Sequence, residues 1–129
     1  MNRLRHWLPA LLWAAIIFYF SAQKRAPQLS GLPGVQLALQ KTGHATEYGI
    51  MAFLIYRPLR RAHRLPLQRA LPFAVILAAA YAASDEWHQY FVPGRSAQLS
   101  DVAIDITGAI IAMIGLYFYE SRRCQKTDR

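Results

Sequence analysis

The hydrophobic residues of this chain fall into four long runs, and most of its acidic residues stand inside or at the ends of three of them. The first run covers 7–22 and carries Pro9 near its start, where a helix tolerates proline. The second is centred on 42–56. Val35 to Gln40 extends that helix backward, so the span runs over 36–56, and Pro58 is expected to end it. The third covers 71–91, with Pro93-Gly94 as a turn after it. The fourth starts at Ser100, a good N-cap, and runs over 100–119. Each comes close to the ~20 residues that cross a membrane. The pattern predicts an all-α protein: one domain, 1–129, folded as an integral membrane bundle of four transmembrane helices.

Composition agrees with that pattern. Of the 129 residues 54% are hydrophobic, and the charges lie in short clusters, which suits a membrane protein better than a soluble globule. The 15 Lys and Arg against 7 Asp and Glu do not indicate nucleic acid as a partner, because they flank apolar segments. Cys124 is the single cysteine, which excludes an internal disulfide. The basic leader and the Ser21-Ala22 end of the first run have the form of a signal peptide. The bulky Phe18-Tyr19-Phe20 ahead of that point argues for retention instead.

The basic residues also set an orientation. The N-terminal segment, the middle loop with Arg57, Arg60, Arg61, Arg64 and Arg69, and the tail with Arg122, Arg123, Lys126 and Arg129 carry eleven on one side. Lys24, Arg25, Lys41 and Arg95 make four on the other. That bias places both termini in the cytoplasm.

With this orientation the polar residues of three helices share one depth, at the outer face. Lys41, His44 and Glu47 or Tyr48 follow helical spacing and form one stripe. Asp85 and Gln89 are i, i+4, with Glu86 about 100° away from Asp85; His88 and Arg95 fall on the same side of the membrane. Asp101 and Asp105 are i, i+4, and their stripe continues through Gly108, Ala112 and Gly115, small residues that let another helix come close. With every acid ionised and the histidines neutral, the five acids and two cations leave a net charge of minus three. Relief would come from protonated carboxyls, histidinium, a bound cation or a cationic ligand.

Several chemistries use such residues. Salt bridges and caps that fasten helices explain Lys41, Arg95 and above all Asp101, whose place in a first helical turn is favourable through the helix dipole alone. His44, Glu47, Glu86 and His88 offer nitrogen and oxygen ligands to zinc, but no H-E-x-x-H or comparable signature is present, and neither metal nor cofactor is expected. Paired carboxylates beside a histidine suit general acid/base work, while no G-x-S-x-G motif marks a nucleophile. Five acids on three helices are more than fastening needs, which favours a functional pocket. Trp87, Tyr90 and Phe91 read as an interfacial aromatic belt, and the stretch from Arg57 to Arg69 as a basic loop facing anionic lipid.

Two blocks resemble the VanZ-like family of small bacterial membrane proteins. One is Lys41-x-x-His44-x-x-Glu47-Tyr48 entering an apolar helix. The other is Asp85-Glu86-x-His88-Gln89-x-Phe91-x-Pro93-Gly94-Arg95, followed by Asp101-x-x-x-Asp105-x-x-Gly108. The motif-bearing core is 41–115. The family often has asparagine where Asp105 stands, so no role is carried over for that residue. The resemblance implies a multi-pass protein of the bacterial cytoplasmic membrane. The family is named for a member linked to resistance to the glycopeptide teicoplanin, a name that supplies no mechanism.

The expected function is recognition of a polar or cationic envelope ligand in an outward-facing pocket: a lipid head group, a cell-wall precursor or an amphiphilic antibiotic. Glu47, Glu86 and Asp101 would supply charge, His44 and Gln89 would orient them, and Lys41 and Arg95 would offset them or bind phosphate. The alternative is a membrane enzyme acting on a lipid-linked substrate, so enzymatic activity stays open. The orientation is checked by reporter fusions: fusions after Tyr56 and at the C-terminus should report cytoplasm, and one near Gly94 the outside. An outside C-terminus would overturn it.

Overall fold

The computed structural model describes residues 3–23, 32–93 and 98–127, with side chains as far as Arg123. Lys24, Arg25, Gly94, Arg95 and Arg129, and the side chains of Cys124 and Lys126, lie outside the described residues. Four helices follow one another: α1 Leu4–Ser21, α2 Pro33–Arg61, α3 Leu67–Gln89 and α4 Leu99–Thr127. The protein is an all-α bundle. Leu4–Ser21, Leu67–Gln89 and Leu99–Arg123 are long and apolar enough to cross a membrane. The remaining helix, α2, carries Lys41, His44 and Glu47. Its 29 residues measure about 44 Å at 1.5 Å per residue, more than a hydrocarbon core of ~30 Å.

Side-chain contacts between helix ends fix an up-down-up-down arrangement. Trp7 donates its indole N–H to Nε2 of His63 at 3.1 Å, joining the start of α1 to the α2–α3 connection. Tyr56 donates to Glu120 Oε1 at 2.6 Å, and Arg60 lies 3.5 Å from Glu120 Oε2, joining the ends of α2 and α4. At the opposite end, Lys41 meets Asp101 at 3.3 Å, and the Phe18 ring packs on His88 with centroids 4.5 Å apart. The two ends are called here the basic end and the acidic end.

Small residues set the helix spacing. On α3, Ala70, Ala74, Ala78 and Ala82 recur every fourth residue and are fully buried, so this ridge lets its neighbours approach closely. On α4 the buried positions among the described side chains are Asp105, Gly108, Ala109 and Met113. A Cβ added at Gly108 would stand 2.6 Å from the carbonyl carbon of Ala45 and 2.7 Å from its Cα, so α2 and α4 cross backbone to backbone here. Ala112 sits in the same contact, with its Cβ 3.5 Å from a Cβ built on Gly49. Gly115 departs from the expected stripe: a Cβ there would meet nothing within 4 Å, so the close approach ends before it is reached.

Two helix boundaries differ from expectation. Pro58 does not end α2, which continues to Arg61. A proline in the last turn forfeits a single backbone bond, while Arg60 beyond it donates to the Leu65 carbonyl at 2.9 Å and pairs with Glu120. Helix α4 starts at Leu99, so Ser100 lies inside the first turn and is not its N-cap. Trp87, Tyr90 and Phe91 are exposed beside the end of α3 and contact one another edge to face, as an interfacial belt would.

The Gly108 crossing makes a sharp demand on side-chain size. Gly108→Leu should lower thermal stability in detergent by more than the roughly 1–3 kcal/mol typical of overpacking, because the obstacle is backbone. Ile110→Leu, at a position 42% exposed, should change it little. Equal losses in the two variants would contradict the crossing.

Candidate functional site

Each helix brings polar residues to the acidic end by its own periodicity. On α2, Lys41, His44 and Glu47 line one side of a cavity of about 320 Å³. On α3, Asp85 and Gln89 line it; on α4, Asp101 does, together with Gln98 just ahead of the helix. Helix α1 supplies Ile17, Phe20 and Ser21, and Leu37 and Leu39 of α2 extend the apolar part of the wall. The cavity is therefore amphipathic and built by all four helices.

The remaining sequence-predicted residues lie around it. Viewed down α3 at about 100° per residue, Asp85 and Gln89 point within some 40° of each other, Glu86 falls to one side and His88 to the other. Glu86 thus turns to α4. It is 6% exposed, and its Oε2 accepts the backbone N–H of Gln98 at 2.9 Å. In a capping box an acid three residues into a helix takes the N-cap amide; here that acid, Asp101, is engaged by Lys41, and Glu86 of α3 serves the N-terminus of α4 instead. The negative carboxylate also meets the positive end of the helix dipole. His88 turns to α1 and stacks on Phe18, outside the cavity lining, with its buried Nε2 lacking a hydrogen-bond partner among the described residues. Arg95 lies outside the described residues.

Beneath the cavity are Asp105 and Tyr48, 2% and 1% exposed. His44 Nδ1 stands 3.2 Å from Asp105 Oδ1. The approach is off the line of a hydrogen bond, and neither atom has another partner among the described residues. Tyr48 packs toward Tyr81, with ring centroids 6.3 Å apart, and its hydroxyl has no partner among the described residues. Tyr81 in turn donates to the Ala14 carbonyl at 2.6 Å, and Trp13 donates to the Glu47 carbonyl at 3.0 Å, so α1 is tied to both α3 and α2.

Asp85 is 5% exposed; Oδ2 accepts from Gln89 at 3.0 Å, while buried Oδ1 has no partner among the described residues. Ser21 Oγ and His44 Nδ1, in the same lining, are likewise buried without one. Lys41 and Asp101 are only partly buried, so their pair contributes ~0–1 kcal/mol and serves mainly to fix the rim. Among the described residues no three His, Cys, Asp or Glu side chains are grouped to hold a metal ion.

Sequence reasoning did not name Ile17, Phe20, Ser21 and Gln98 as wall residues, nor the Tyr56–Arg60–Glu120 cluster at the basic end. Ser21 closing an apolar run, four residues after Ile17, was the available signal on α1. Glu120 reads as one more charge of a basic tail until the fold sets it beside α2.

A family model described as VanZ/LLP1 matches residues 6–120 of the chain. No curated protein and no solved structure matches it.

The His44–Asp105 pair yields a stability prediction. His44→Ala would leave a buried carboxylate uncompensated and should cost about 3 kcal/mol or more. His44→Ala combined with Asp105→Asn should recover part of that loss. Additive losses in a double-mutant cycle of unfolding in detergent would show that the two side chains do not interact.

Proposed function

The chain belongs to the VanZ/LLP1 family, and on that premise we propose that its cavity receives a polar or cationic group of an envelope ligand at the outer face of the bacterial cytoplasmic membrane. The single observation that carries this reading is Asp85: a buried carboxylate in the cavity wall with one oxygen lacking a donor. An unmet buried acceptor costs on the order of 1–3 kcal/mol, more when charged. A ligand ammonium or hydroxyl supplies the missing donor. Glu47 and Asp101 add negative charge to the wall, and Lys41 offsets part of it.

The apolar part of the wall narrows the ligand class to amphiphiles. Phe20, Leu37 and Leu39 would flank a chain or ring system while the polar group reaches Asp85. A lipid head group, a cell-wall precursor and an amphiphilic antibiotic all have that form, and the family's namesake puts glycopeptides among the compounds to test. Glu86 acts at one remove in this reading, holding the start of α4 so that Asp101 meets Lys41.

One observation favours a second reading, a membrane enzyme with acid/base chemistry. His44 lines the cavity while Asp105 holds its Nδ1 from below, which leaves Nε2 to exchange a proton with a bound substrate.

Native mass spectrometry of protein purified from its own membranes tests the binding reading. A defined adduct should accompany the wild type and be lost in Asp85→Asn, with yield and thermal stability unchanged. The same adduct on both proteins would remove the cavity as the binding place. An adduct converted to product by the wild type and retained unchanged by His44→Gln would favour the enzyme.

A further inference from the structure

Away from the acidic end, α2 and α4 leave a groove on the membrane face of the bundle. It holds about 600 Å³, and its walls are almost wholly apolar, with Ile50 and Phe53 on α2 and Ile111, Gly115 and Leu116 on α4. At Gly115 and Tyr119 it runs into a second depression, of about 610 Å³, which Phe118, Arg122 and Arg123 also line. Both arginines are exposed. We infer that this continuous groove is a binding site for one anionic phospholipid of the leaflet at the basic end, its acyl chain lying against Gly115 and its phosphate at Arg122 and Arg123.

Three observations converge on that occupant. The first is charge: an apolar groove that ends in two guanidinium groups matches an apolar chain that ends in a phosphate, and arginine forks suit phosphate oxygens. The second is length. From Gly108, where the helices touch, to Arg123 is about 22 Å of helix, somewhat more than one leaflet of a ~30 Å core, so an acyl chain entering from the basic end is accommodated below the crossing. The third is Gly115. Glycine weakens a helix interior, and here no neighbouring helix compensates, since a Cβ would meet nothing within 4 Å. What Gly115 provides is the open floor of the groove.

The purified full-length protein in detergent is titrated with dioleoyl phosphatidylglycerol and, separately, dioleoyl phosphatidylcholine, and bound lipid is counted by native mass spectrometry. The wild type should retain one phosphatidylglycerol on the order of ten-fold more tightly than phosphatidylcholine, from two arginines near the surface. Arg122→Gln with Arg123→Gln should abolish that preference. Gly115→Leu, which fills the groove without touching a helix contact, should lower retention of both lipids at a thermal stability no lower than the wild type's. Ile76→Leu, at a 59% exposed position of α3 away from the groove, should keep the preference. Equal retention of the two lipids by the wild type, unchanged lipid binding in Gly115→Leu, loss of the preference in Ile76→Leu, or a dimer that excludes lipid would each overturn the site.

Discussion

The backbone crossing of α2 and α4 is the constraint on which the acidic end depends. Gly108 meets Ala45 with no room for a side chain, and both residues stand next to the polar positions of their helices. One residue before Ala45 is His44, and three before Gly108 is Asp105, so the crossing sets the 3.2 Å approach of that pair. One turn further toward the acidic end, the same register brings Lys41 to Asp101. A larger residue at Gly108 would move α4 off α2 and separate both pairs together. Cavity and crossing are consequences of a single packing decision.

Burying polar groups in a membrane protein is costly unless they are satisfied or used. The acidic end divides its groups between these outcomes. Glu86 is satisfied by the start of α4 and Lys41 by Asp101, while His44 Nδ1 and Asp105 Oδ1 stand 3.2 Å apart without a hydrogen bond. Asp85 and Tyr48 retain buried oxygens without a partner among the described residues. Of these, Asp85 faces the cavity and Tyr48 lies beneath it, while His88, whose buried Nε2 also has no partner among the described residues, lies outside the cavity lining.

The basic end is organised differently. Its polar contacts, Tyr56 and Arg60 with Glu120 and Arg60 with the Leu65 carbonyl, close the bundle and support the last turn of α2 after Pro58. Around them Arg122 and Arg123 are exposed at the surface. The protein therefore presents a recessed, acid-lined cavity at one end and a basic surface at the other.

Much of this is written in the sequence itself. Runs of apolar residues near 20 in length predict helices and a membrane, periodicities of three and four residues place Lys41, His44 and Glu47 on one stripe, and the two motif blocks indicate the family. These are local properties, carried by neighbours along one helix. Rotation of one helix against another is not local, and the tertiary structure alone decided it. Only the packed bundle shows that Glu86 turns to α4 while Asp85 turns to the cavity, that His88 faces Phe18, and that α1 forms part of the wall. Only there does Gly108 become a contact and Gly115 an open floor, although both are glycines on one apparent stripe. The physical reason is that two helices crossing at an angle touch over a short length, so equivalent positions along a stripe lose their equivalence once a partner is set against them.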